Sequence, residues 1–91
     1  MQYSAQQLQK IKEMASQLMR PEHIALLIDV DQEEFRRNIK HKGSAAYLAY
    51  ETGKAETILE LRKQELKLAR LGSPLAVEMV QKFMIDQEQN E

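Results

Sequence analysis

The chain contains no cysteine and no tryptophan, two prolines, three glycines and only 5% aromatic residues. Without cysteine there is no disulfide framework, no thiolate zinc site and no cysteine nucleophile, and the redox compartment is left open. The scarcity of Pro and Gly leaves few turn residues, and no stretch alternates apolar with polar residues as a half-buried strand would. Both point to an all-α fold. Long apolar runs are missing too: Ile24 to Ile28, an unbroken aliphatic run, falls far below the ~20 residues needed to span a bilayer. The sequence opens without a basic-then-apolar leader, so the cytoplasm is the expected location and no membrane partner is expected. At 91 residues there is room for one domain, or one domain with a helical appendage, and not for a large enzyme around a deep cleft.

What is present is 43% hydrophobic and 30% charged residues, with a net charge of −1. Near-neutrality speaks at first against a nucleic-acid partner, because such binding draws on phosphate neutralisation by Lys and Arg. The charge is unevenly placed, however. The run Arg36-Arg37-Asn38-Ile39-Lys40-His41-Lys42 holds four formal positive charges and no acid, whereas residues 78 to 91 hold Glu78, Asp86, Glu88 and Glu91 against Lys82 alone. The total limits the phosphate attraction of one copy without excluding DNA.

Local signals predict five helices. Ser4 and Gln7 form a capping box, with Tyr3 and Leu8 in staple positions, and Leu8, Ile11, Ala15, Leu18 and Met19 recur at helical spacing, which predicts a first helix from about Ala5 to Met19. Pro21 stops it and opens a short second helix with Ile24, Leu27 and Ile28 on one face. A turn of about three residues, Asp29-Val30-Asp31, leads to a third helix capped by Asp31, with Glu34 three residues on and Val30 and Phe35 as the staple pair. It should end near His41 to Gly43, with Gly43 supplying a left-handed terminal conformation. Ser44 then caps the longest periodic stretch, which runs to Leu71 and is interrupted only by Gly53, a close-contact position or a bend. Leu71-Gly72-Ser73-Pro74 turns the chain back into a fifth helix with Ala76, Val77, Val80, Phe83 and Met84 on its apolar face. Residues 86 to 91 are polar enough to fray. The expected organisation is a three-helix unit over residues 1–43 and a long antiparallel helical hairpin over 44–91.

Catalytic chemistry finds little to work with. Asp29 and Asp31 occupy turn positions where aspartate is favoured structurally, and His23 and His41 lie on different helices with no cysteine and no H-x-x-x-H spacing. A Gly-rich phosphate loop and a serine elbow are both missing. The expectation is a protein that is not an enzyme and carries no metal or cofactor.

The strongest constellation runs from Pro21 to Ile39. A helix-turn-helix unit needs a small residue where its helices cross, a turn residue that tolerates positive φ four positions later, an apolar residue after it, and apolar residues inside the recognition helix. Ala25, Asp29, Val30, Phe35 and Ile39 supply these in order, with aspartate where glycine is commonest. If Phe35 and Ile39 face inward, Glu33, Arg37 and Lys40 lie opposite, flanked by Gln32, Arg36 and His41. Arg37 and Lys40 are then the candidates for groove contacts, Arg36 and Lys42 for phosphates and Gln32 for a base edge. Glu33 would repel phosphate unless it accepts from cytosine or pairs with Arg37. The alternative is that residues 36 to 42 are a solvated basic helix end, favourable against the helix dipole.

The hairpin's apolar stripe is broader than a unit of this size needs, so it either packs wholly against the three-helix unit or is covered by self-association. Several copies of a weak DNA-binding unit would gain avidity.

The order of a small helix-turn-helix, then Tyr50-Glu51-Thr52-Gly53-Lys54-Ala55-Glu56, then Leu61-Arg62-Lys63 through Leu68-Ala69 and Gly72-Ser73-Pro74-Leu75-Ala76-Val77, resembles the small terminase subunits of tailed phages and their prophage relatives. The similarity covers roughly Pro21 to Met84. It implies recognition of viral double-stranded DNA through the helix-turn-helix, assembly into rings through the hairpin, and delivery of DNA to a large terminase subunit that carries ATPase and nuclease activity. By that resemblance Gln32, Arg36, Arg37 and Lys40 face DNA, while Leu59, Leu66, Val80 and Phe83 serve hairpin packing or subunit contacts. Proteins of this family commonly extend beyond the hairpin into a segment that engages the large subunit; here residues 86 to 91 follow the apolar face. A dimeric helix-turn-helix transcriptional regulator and a helical protein-protein adaptor that binds no DNA are the other readings the sequence leaves open.

Overall fold

The computed structural model describes residues 2–91, and among them there are five α-helices and no strand. In order these are α1 (Ala5–Ser16), α2 (Pro21–Leu27), α3 (Gln32–Lys40), α4 (Ala45–Arg70) and α5 (Pro74–Gln89). Two compact units follow from their packing, one reaching to Thr57 and one spanning Ile58–Glu91, so α4 contributes its first half to the former and its second half to the latter. Among the described residues no helix is long and apolar enough to cross a membrane.

The helix starts follow the capping chemistry of the sequence. The Ser4 hydroxyl accepts from the Gln7 amide at 3.0 Å while the Gln7 side chain accepts from the Ser4 amide at 2.9 Å, completing the box. Gln7 also donates through Nε2 to the Ile28 carbonyl at 3.3 Å, so the cap of α1 satisfies a part-buried carbonyl at the end of α2. Asp31 accepts from the Glu34 amide at 2.9 Å, and Ser73 from the Ala76 amide at 3.3 Å. Ser44 serves two helices at once, accepting from the Tyr47 amide at 3.0 Å and donating to the Asn38 carbonyl at 2.5 Å.

The helix ends are less predictable from composition. Three of them close with paired 6→1 and 5→2 bonds around a left-handed residue: Met19 and Leu18 donate to Met14 and Ala15, Val30 and Asp29 to Ala25 and Leu26, Ser73 and Gly72 to Leu68 and Ala69. Their left-handed residues are Leu18 at φ 60°, Asp29 at φ 61° and Gly72 at φ 92°. The first helix therefore stops at Ser16 rather than at Met19, because Leu18 reverses the chain before Pro21 could end the helix. Gly43 does not take a positive φ; α3 ends instead on His41 in an extended conformation, φ −89° and ψ 106°. At the other end of the chain, α5 persists to Gln89 where fraying was expected, with Asn90 Nδ2 donating to the Asp86 carbonyl at 2.7 Å.

One core fills the first unit. Ile11 of α1, Ile24 and Ala25 of α2, Ile28 just past its end, Phe35 and Ile39 of α3 and Ala46 of α4 are buried together, with Tyr3, Leu8, Met14, Met19 and Val30 packed around them. Full burial of a side chain such as Phe35, Ile11 or Ile24 contributes about 1.5–3 kcal/mol each. The inner face of α2 is Ile24, Ala25 and Ile28; Leu27, expected there, is 61% exposed, because this short helix turns one narrow stripe to the core. Tyr3 meets Phe35 edge-on with ring centroids 6.3 Å apart, and its hydroxyl accepts from Asn38 Nδ2 at 2.8 Å. Burial pushes the Tyr3 phenol above its ordinary pKa, with the Glu34 charge adding to the rise and the Asn38 bond opposing it.

Gly53 is a close-contact position. An added Cβ there would come within 3.0 Å of the Ala15 Cβ and the Ser16 nitrogen, and nearer still to the Lys12 carbonyl oxygen. The absence of a side chain lets α4 lie directly on α1. Around that contact Thr57 Oγ1 donates to the Ser16 carbonyl, one of the orphan acceptors at the end of α1, and Lys12 pairs with Glu56 at 3.3 Å.

Candidate nucleic-acid interface

The α2–α3 pair presents the residues singled out from the sequence. Ala25 is fully buried where the two helices meet, which lets them approach closely, and Asp29 takes the positive φ that the turn requires. Val30 packs on the core immediately after the turn, and Phe35 and Ile39 point inward. With those two fixed, the opposite face of α3 is set by the 3.6-residue repeat: Gln32, Glu33, Arg36, Arg37 and Lys40 are exposed, and His41 and Lys42 continue the exposed surface past the helix end.

The cations on this surface are not equivalent. Arg36 reaches back to α2 and its guanidinium donates to Glu22 Oε1 at 2.7 Å. The Glu22 carboxyl is held below its ordinary pKa, first by its own backbone amide, against a smaller opposing effect of burial, and further by the nearby Arg36 and Arg20 charges. Arg37, Lys40 and Lys42 form no ion pair among the described residues, and neither does Glu33, so Glu33 does not neutralise Arg37. A duplex approaching α3 would thus meet Arg37, Lys40 and Lys42 as uncompensated charges, Arg36 as a shared one and Glu33 as an acid near the helix start.

One residue at this surface escaped sequence reasoning. Arg20 precedes α2 and lines an open cleft with Pro21, Glu22, Arg36, Ile39 and Lys40, and its guanidinium lies 3.2 Å from His23 Nε2. Arg20 lies sixteen positions before Arg36 in the chain, and only the packing of α3 against α2 brings the two to one cleft. Its sole sequence signal was its place before Pro21, which reads as a helix boundary.

The four residues assigned to hairpin packing or subunit contacts separate into two groups. Leu66, Val80 and Phe83 line a groove between α4 and α5 together with Arg62, Met84 and Gln87. The Arg62 guanidinium stacks over the Phe83 ring at 4.5 Å and reaches Asp86 at 3.6 Å, tying α4 to α5. Leu59 stands apart, 53% exposed. In the whole Ile58–Glu91 unit the only buried hydrophobic side chain is Ala76, while Leu71 is 75% and Leu75 70% exposed. Val77 and Met84, expected on the inner face of α5, are exposed as well, because two antiparallel helices can cover only a narrow seam of each other.

Comparison of the chain with protein-family models, characterised proteins and solved structures returned no match.

Proposed function

We propose that this protein binds double-stranded DNA through α3 as a recognition helix and acts as an oligomer, in the manner of the viral-DNA recognition subunit of a phage terminase. The observation that carries the DNA reading is the coincidence of two independent features on one helix. Its inner face sets Phe35 and Ile39 against the small-residue crossing at Ala25 of α2, after the left-handed turn at Asp29, as a helix-turn-helix requires, and its outer face carries Arg37 and Lys40 without acidic partners. A solvated basic helix end would account for the charge but would not require that turn geometry.

The oligomer reading rests on the second unit. A hairpin with one small buried residue and exposed leucines along both helices lacks the burial that sustains a domain, and association with further copies covers such surface. A terminase-like role further supposes a ring and a large ATPase-nuclease partner. A dimer on a palindromic site with half-sites one helical turn apart would mark a transcriptional regulator. The same exposed leucines favour a second reading, a helical adaptor whose hairpin takes a different protein and whose basic segment is plain surface.

Duplex binding by fluorescence anisotropy, combined with native mass, separates these. Arg37→Ala and Lys40→Ala should each weaken binding and reduce the salt dependence by about one charge. Binding that is absent at low salt, or indifferent to both substitutions, overturns the recognition-helix assignment. A monomeric mass overturns the oligomer.

A further inference from the structure

We infer that the cleft between the start of α2 and the C-terminal half of α3 is a seat for one phosphodiester group of the duplex backbone, with Arg20 and Arg36 as its cations and Glu22 as a built-in competitor for Arg36. The inference rests on the DNA-binding reading and adds to it a residue outside α3 and an acid that lowers affinity. The cleft, ≈ 350 Å³, is lined by Arg20, Pro21, Glu22, Arg36, Ile39 and Lys40. Three cations therefore surround one carboxylate, which leaves the seat with a surplus of positive charge. Ile39 and Pro21 contribute apolar wall beside the guanidinium groups.

The polar partners within the cleft show where a phosphate would enter. Arg36 spends a donor on Glu22 at 2.7 Å, while Arg20 contacts the His23 Nε2 at 3.2 Å and makes no ion pair among the described residues. The two non-bridging oxygens of a phosphodiester offer Arg36 the bidentate acceptor geometry of a carboxylate. Entry of the phosphate requires Arg36 to exchange partners, or to bridge both, and the retained Glu22 charge repels the incoming anion. Glu22 thereby holds Arg36 in place in the free protein and subtracts from its contribution in the complex.

Duplex binding by the full chain over about 50 to 200 mM salt tests the seat, since each phosphate neutralised adds ~0.9 to the slope of log affinity against log salt. Glu22→Gln retains the side-chain shape and an acceptor for Arg36 while removing the charge. It should tighten binding and steepen the salt dependence, by up to about threefold more loss of affinity across that range. Arg20→Ala should weaken binding and flatten the dependence by a similar amount, and circular dichroism confirms that both variants keep their helices. If either variant retains wild-type affinity and slope while Arg37→Ala, which lies outside the cleft, weakens binding, the recognition helix stands and the seat is wrong. A wild-type protein that binds no duplex at the low-salt end overturns both.

Discussion

Replacing Gly53 with alanine adds one methyl group where α4 rests on the backbone of α1. The new Cβ would sit 3.0 Å from Ala15 Cβ and from the Ser16 nitrogen and closer to the Lys12 carbonyl oxygen, and two of these three neighbours are backbone atoms that no rotamer change can move. Restoring ordinary contact, about 3.5 Å or more, means displacing one helix from the other by roughly 1 Å. Overpacking of this kind costs about 1–3 kcal/mol, and the loosened Thr57–Ser16 hydrogen bond costs about 1 more. The better helix propensity of alanine returns about 1 kcal/mol. The net expectation is a loss of roughly 2 kcal/mol, or about 8–16 °C in Tm for a domain of this size. Thermal and urea unfolding followed by far-UV circular dichroism at matched protein concentration measures it, with Gly43→Ala as the control, because a Cβ there meets nothing nearer than His41 Nε2 at 3.5 Å. A Gly53→Ala protein as stable as wild type, or more stable, would show that Gly53 is not a contact residue and that α4 does not need that proximity.

Other perturbations probe the remaining structural claims. Leu18 is 58% exposed yet holds a left-handed backbone, so Leu18→Gly should raise stability by about 0.5–1 kcal/mol, whereas Gly72→Ala, with nothing within 4 Å of the new Cβ, should lower it by about 1 through backbone strain alone; urea midpoints decide both. Because Tyr3 titrates higher in the folded chain than when unfolded, its contribution is fully present below pH ~10 and is lost as pH rises through the raised folded value. Wild type should therefore lose stability above that pH more steeply than Tyr3→Phe, and equal alkaline slopes would remove Tyr3 as the cause. On the exposed face of the hairpin, Leu59→Lys should reduce the native mass while leaving the helical content unchanged. An unaltered assembly would place the subunit contacts elsewhere.

Much of the first unit is legible in the sequence because its determinants are local. Ser4 with Gln7, Asp31 with the Glu34 amide, and Ser44 with the Tyr47 amide each act within one turn of helix, so their spacing states the outcome. The α2–α3 arrangement is legible for a related reason: the residues that must be small, left-handed or apolar fall within fifteen positions, and the helical repeat then decides which cations face outward. Leu18 marks the limit. A leucine carries no local preference for positive φ, and the chain adopts it there because closing α1 with Met19 and Leu18 bonded back to Met14 and Ala15 places Met19 against the core.

The sequence by itself determined an all-helical chain, the order and starts of its helices, the inward set Ile11, Ala25, Phe35 and Ile39, and the basic outer face of α3. Those follow from periodicity and capping, which act over a few residues. Tertiary structure alone decided that α4 belongs half to one unit and half to the other, that Gly53 is a helix contact, that Arg36 is shared with Glu22, and that Arg20 joins it in one cleft. It also decided how little of the hairpin's apolar surface is covered. Each of these depends on residues far apart in the chain being brought together, and a one-dimensional pattern contains no distances between them.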